Sequence, residues 1–182
     1  MIITWYQVKG PKLKAAVVAD LHGKPSHKLY DALKAEQPDV ILIPGDLATV
    51  GEYKDWSIDP DRLERIRKTQ ESAIEFLRTA VTIAPTFYAR GNHEWANPDD
   101  VYFEKVRRTG AVLLENEWTK FGEVWIGGQS SAKRYGLEAL IEKNPPPDTE
   151  WLKDSPTDFK LLLCHHPEYY SLIKDYADCI VA

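Results

Sequence analysis

Residues 86–94 read Thr-Phe-Tyr-Ala-Arg-Gly-Asn-His-Glu: a short run without alternation, Thr86–Ala89, that leads directly into a polar cluster. The same construction recurs along the chain. Leu13–Ala19 leads to Asp20-Leu21-His22, Val40–Ile43 leads to Gly45-Asp46, and Phe159–Cys164 leads to His165-His166-Pro167. Unalternating apolar runs of this length are the pattern of strands covered on both faces. Parallel strands deliver their C-terminal loops to one edge of a sheet, so Asp, His and Asn side chains at these tips converge there. That edge is where a metal centre would form.

Between the runs lie helical segments. Ser26–Gln37 has Ser26 as its N-cap, Asp61–Ala80 carries an apolar stripe of Leu63, Ile66, Ile74 and Leu77, and Asp99–Arg108 is closed by Gly110. Alternating strands and helices imply right-handed crossovers and an α/β layered domain. The middle of the chain differs. Ala111–Leu114, Glu117–Phe121 and Glu123–Gly127 are strand candidates joined tightly, with Phe121-Gly122-Glu123 as a hairpin turn, which predicts an antiparallel element. Asn144–Asp148, with its three prolines, reads as a loop, and Asp178–Ala182 as a last buried strand.

Composition sets limits on function. A chain of 182 residues, 43% of them apolar, fits one domain of roughly 100–200 residues with a sizeable core. With 23 Lys+Arg against 28 Asp+Glu the net charge is −5, so no broad basic field exists to hold a nucleic acid, and attraction for phosphate must be local. No apolar run approaches the roughly 20 residues that span a bilayer, and no leader pattern opens the chain. Cys164 and Cys179 lie in apolar runs and form no Cys-x-x-Cys pair. They read as reduced core thiols, which predicts a cytoplasmic protein.

The polar clusters are suited to metal. Asp20 and His22 stand two residues apart, which in an extended segment puts both on one face, able to chelate one ion. Gly45 lets the backbone turn tightly beside Asp46, whose two oxygens can bridge two ions, whereas the Asn92 amide oxygen serves one. Mixed N and O donors without thiolate suit Mn, Fe, Zn or Co. Any one of these clusters alone is as common in solvated turns, and Gly-Asn-His-Glu also fits a turn with Asn92 in the left-handed region. The ordered set is what points to metal.

Asp-x-His, Gly-Asp, Gly-Asn-His-Glu and a later His-x-Pro, in this order at strand ends, resemble the calcineurin-like metallophosphoesterases across nearly the whole chain. The resemblance implies an α/β/β/α sandwich with mixed central sheets and two divalent transition metal ions. Asp20 and His22 would hold the first, Asp46 would bridge, and Asn92 and His165 would hold the second. His93 would face a small phosphoester substrate and meet its leaving oxygen, with Glu94 orienting it. Two divalent ions, two carboxylates and a bridging hydroxide leave one positive charge in an otherwise acidic protein. Hydroxide between ions about 3.5–4 Å apart then attacks the phosphate mono- or diester in line.

The family pattern closes on a Gly-His-x-His block that gives each metal one histidine, normally just after a strand like Asp178–Ala182. The chain stops there, and its histidines, His22, His27, His93, His165 and His166, leave none for that block. The expectation is a single domain over residues 1–182 that lacks its C-terminal part, with each metal one protein ligand short. A binding or scaffold protein of the same fold without turnover is the alternative. Among the other polar residues, His27 reads as a surface residue and His166 as an outer-sphere or exposed one. Arg90 reads as a solvated loop arginine as readily as a phosphate contact. Gly127-Gly128-Gln129-Ser130-Ser131 fails as a nucleophile elbow because Ala132 stands where glycine is required.

Overall fold

Val40, Ile41, Leu42 and Ile43 are all fully buried, and the alternation of their side chains explains it. Ile41 and Ile43 pack among helices, while Val40 and Leu42 pack against a second sheet. The structure is a computed structural model that describes residues 2–49, 60–95, 100–133 and 144–182. In it β2 (Val40–Ile43) lies between β1 (Ala15–Val17) and β3 (Thr86–Ala89), with β4 (Val112–Leu114) beyond β3, every pair parallel.

One face of this sheet is covered by α1 (His27–Glu36), α2 (Pro60–Ile83) and, after the short α3 (Asn92–Trp95), α4 (Asp100–Arg107). Leu33, Phe76, Leu77, Phe103 and Val106 from these helices meet Ile41, Ile43 and Tyr88. Ser26 caps α1 as expected, its Oγ accepting from the Leu29 N–H at 3.3 Å. The second sheet has the order β5 (Glu117–Phe121), β6 (Val124–Gln129), β7 (Phe159–Cys164) and β8 (Cys179–Val181). Its first pair is antiparallel and the others are parallel. Leu42, Phe87, Ala89 and Leu114 meet Val124, Ile126, Leu161 and Leu163 between the sheets. On the outer face Leu162 and Cys164 pack with Leu152, Tyr169 and Ile173, the last from the short α5 (Tyr170–Ile173). The layers are helix, sheet, sheet and helix, so the expected sandwich is present, although only its second sheet is mixed.

Three expectations change. The antiparallel element is limited to β5 and β6, because β4 pairs parallel with β3 and the chain changes sheets at Glu115-Asn116. Leu113 faces the helices and Leu114 the other sheet, a two-faced burial that a hairpin strand with one wet face would not have. Second, β8 is half-buried rather than buried, since it pairs only with β7 among the described residues. Third, α2 runs past the predicted Ala80 to Ile83. Asp99 and the Leu63 side chain lie outside the described residues. Cys164 is buried, Cys179 half-buried, and neither is in a disulfide. No helix among the described residues is long and apolar enough to cross a membrane.

The two sheets approach closely at Gly128, where an added Cβ would lie 2.4 Å from Leu114 Cβ and 2.9 Å from the Leu114 carbonyl oxygen. Gly128→Ala is expected to destabilise the fold by about 1–3 kcal/mol, the usual range for overpacking. Urea unfolding measures it, and an unchanged midpoint would mean that the sheets have room to separate.

Candidate metal centre

The loops that follow β1, β2, β3 and β7 meet at one end of the sandwich. Asp20, His22 and Asp46 have φ of 55°, 45° and 52°, a region that costs non-glycine residues about 1–3 kcal/mol each when held there. Cross-loop hydrogen bonds hold them. Asp20 N donates to Gly45 O at 3.3 Å, His22 N to Asp46 O at 3.1 Å and Gly23 N to Leu47 O at 2.7 Å. Asp20 and His22 therefore share a face because of left-handed turns, and the extended segment expected of them is not what brings them together. Asn92 is not in that region, as a simple turn at Gly-Asn-His-Glu would have it, and instead opens α3.

Asp46 is the centre of the cluster. It is 3% exposed, and its Oδ1 accepts the His93 backbone N–H at 3.0 Å. Its Oδ2 faces three imidazoles, with Nε2 of His165 at 3.3 Å, of His93 at 3.8 Å and of His22 at 4.0 Å. Asp20 Oδ1 lies 3.9 Å from His22 Nε2, although most of the Asp20 side chain faces solvent. Two sets of donors, His22 with Asp46 and His93, and Asp20 with Asp46 and His165, each fall within 4.8 Å. At bonds of about 2.1 Å, donors on one ion are at most about 4.2 Å apart. The separations around Asp46 Oδ2 satisfy that, so the residues present fit divalent metal. His22 and His93 share one of these sets and Asp20 and His165 the other, while Asp20 and His22 also lie within reach of one ion. Asn92 is half-buried at the first position of α3, one residue before His93.

Glu94 has a part that sequence reading missed. It has no exposed surface, and its Oε2 accepts the backbone N–H groups of Asp46 and Gly91, both at 2.9 Å, while Oε1 accepts that of Ala48 at 3.0 Å. The carboxylate grips the backbone of the β2 and β3 loops, where an imidazole-orienting role was expected. The one available signal was glutamate's place right after Gly-Asn-His in a buried strand-end loop. Gly91 and Gly45 permit the close approach: a Cβ on Gly91 would lie 2.1 Å from Asp46 Oδ1, and one on Gly45 2.7 Å from the Gly91 backbone.

The electrostatics follow from these contacts. Burial pushes the Asp46 carboxyl up, but hydrogen bonding and charge from His165, then the His93 amide and imidazole, outweigh it and hold the group below the usual range. Burial likewise disfavours a charged His165, yet Asp46 and then Asp20 raise its pKa. Glu94 is pushed up to about 7 by burial and by the Asp46 charge, against the pull of its amide donors.

His166 is buried at 6% exposed, not at the surface, and its pKa falls to about 4 through burial and the charges of His165 and Lys133. His27 is exposed, as expected. Arg90 is committed elsewhere: its guanidinium sits 3.7 Å from the Phe103 ring centre and pairs with Glu115 at 2.9 Å. Ser130, the serine that an elbow would present, is half-buried at the end of β6.

The family model of the calcineurin-like phosphoesterases matches residues 13–181, a span that holds every strand described above. Among curated proteins, none matches the chain significantly.

Gly91→Ala is expected to displace the Asp46 carboxylate and abolish high-affinity metal binding while leaving the far-UV circular dichroism near normal. Calorimetric titration with Mn(II) reads it, and wild-type affinity would show that the loops can part. The Glu94 shift predicts a pH dependence. An acid whose pKa is raised by folding contributes stability below its unfolded value, near 4.5, and loses it as pH rises to about 7. In the metal-free protein, unfolding free energy relative to Glu94→Gln should therefore decline across that window. Parallel denaturation curves at each pH, with a constant difference between the two proteins, would contradict the assignment.

Proposed function

The chain belongs to the calcineurin-like phosphoesterase family, and on that premise we propose that it hydrolyses a phosphate mono- or diester with two divalent transition metal ions. The observation that carries this reading is the convergence of His22, His93 and His165 on one oxygen of the buried Asp46. Asp20, His22, Asp46, Asn92 and His165 are the proposed ligands, and Asp46 is their shared carboxylate. Divalent ions bound there supply Lewis acidity, which acidifies water and offsets charge on phosphoryl oxygens.

The chain's own residues do the rest. Asp46, with Oδ1 held by the His93 amide, presents Oδ2 to the site in a fixed orientation. His93 is 8% exposed and comes from a backbone anchored on that same carboxylate. Its ring would hold the proton that the leaving oxygen takes up, or donate to a phosphoryl oxygen. Glu94 keeps the β2 and β3 loops in register, so that Asp46 and His93 stay at a constant separation.

Hydrolysis of p-nitrophenyl phosphate and of bis(p-nitrophenyl) phosphate is expected to require added Mn(II) or a similar ion. Activity surviving exhaustive chelation would refute the reading. Asp46→Ala should lose both metals, by metal analysis. His93→Ala should retain them while kcat falls roughly 10²–10⁴-fold, the range for a positioned acid. If His93→Ala loses an ion instead, His93 is a ligand beside His22, as their grouping around Asp46 permits.

A further inference from the structure

The chain leaving β6 and the chain leaving β7 are joined beside the metal centre. Ser131 Oγ lies 2.6 Å from His166 Nε2, and both residues are buried. Ser131 Oγ also accepts the Lys133 backbone N–H at 3.0 Å. The hydroxyl has one hydrogen and a second lone pair left for the imidazole, and the His166 tautomer sets which of the two groups donates. Ala132 N donates to the Tyr169 hydroxyl at 3.3 Å, Lys133 pairs with Glu168, and Ser131 N donates to Arg90 O at 3.0 Å. One turn therefore contacts both the His165 loop and the residue that precedes Gly91.

His165 depends on this arrangement. Its Nε2 faces Asp46 Oδ2, and no residue among those described hydrogen-bonds its other ring nitrogen. A metal-binding imidazole usually has that second nitrogen held by a carbonyl or carboxylate, which fixes the ring's orientation. The His165 ring instead meets His166 edge to face, with centres 4.9 Å apart and planes at 71°. We propose that the Ser131–His166 hydrogen bond is a positioning device for His165, fixing the neighbouring imidazole against which the His165 ring rests and so setting the metal affinity of the centre. The proposal rests on the reading of His165 as a ligand.

Co(II) titration followed by visible absorption tests it, with wild type, Ser131→Ala, His166→Phe, His166→Gln and His165→Ala compared. Ser131→Ala and His166→Phe break the same bond from opposite ends, so one folded variant suffices, with folding checked by circular dichroism. Each is expected to bind Co(II) about 10–100-fold more weakly, with bands shifted towards the His165→Ala spectrum. His166→Gln places a side-chain amide, able to accept or to donate, where Nε2 stands and is expected to restore wild-type affinity and spectrum. Wild-type binding by Ser131→Ala and His166→Phe, or equal weakening in His166→Gln, overturns the proposal. Failure of the underlying reading looks different: His165→Ala would then bind Co(II) as wild type does, and the proposal would fall with it.

Discussion

A carboxylate without exposed surface holds the metal loops in place. Burying Glu94 would be costly if its oxygens went unpaired, and the chain meets that cost with three backbone N–H groups, those of Asp46, Ala48 and Gly91. Charge-assisted bonds of this kind are roughly twice as strong as neutral ones. The consequence is geometric. The loop after β2 and the loop after β3 cannot slide past one another, so Asp46 and His93 hold a constant relation although they are 47 residues apart.

Placing Glu94 next to Asp46 brings two carboxylates together in a buried region. The protein resolves this by asymmetry. Asp46 keeps its charge because His165 and His93 face it, while Glu94 is the member whose pKa rises. Cations at Asp46 Oδ2 would favour both ionised forms at once, which links metal binding to stability. The same bound cations would give a protein with net charge −5 a local attraction for phosphate.

Backbone strain is concentrated in the same place. Asp20, His22 and Asp46 all occupy the left-handed region, and cross-loop bonds from Asp20, His22 and Gly23 to the loop after β2 keep them there. The second sheet completes the cluster from the other side. Close approach at Gly128 brings β6 and β7 against β3 and β4, and β7 then delivers His165 to Asp46. Strain, buried charge and sheet packing are thus coupled, and a change in any one moves the donors.

The sequence by itself determined the layered α/β fold, because runs such as Val40–Ile43 encode burial on both faces in their composition. It also determined the Ser26 cap, the turn between β5 and β6, and the polar clusters that follow the strands, since these depend on chemistry within a few positions along the chain. Tertiary structure alone decided which donors group around Asp46, because distances between strand tips depend on sheet order and on left-handed turns that Asp and His do not announce. It decided that β4 leaves the hairpin for the first sheet, that Arg90 is held by Phe103 and Glu115, and that His166 is buried against Ser131. In each case the deciding partner is distant in sequence, and local periodicity carries no record of it.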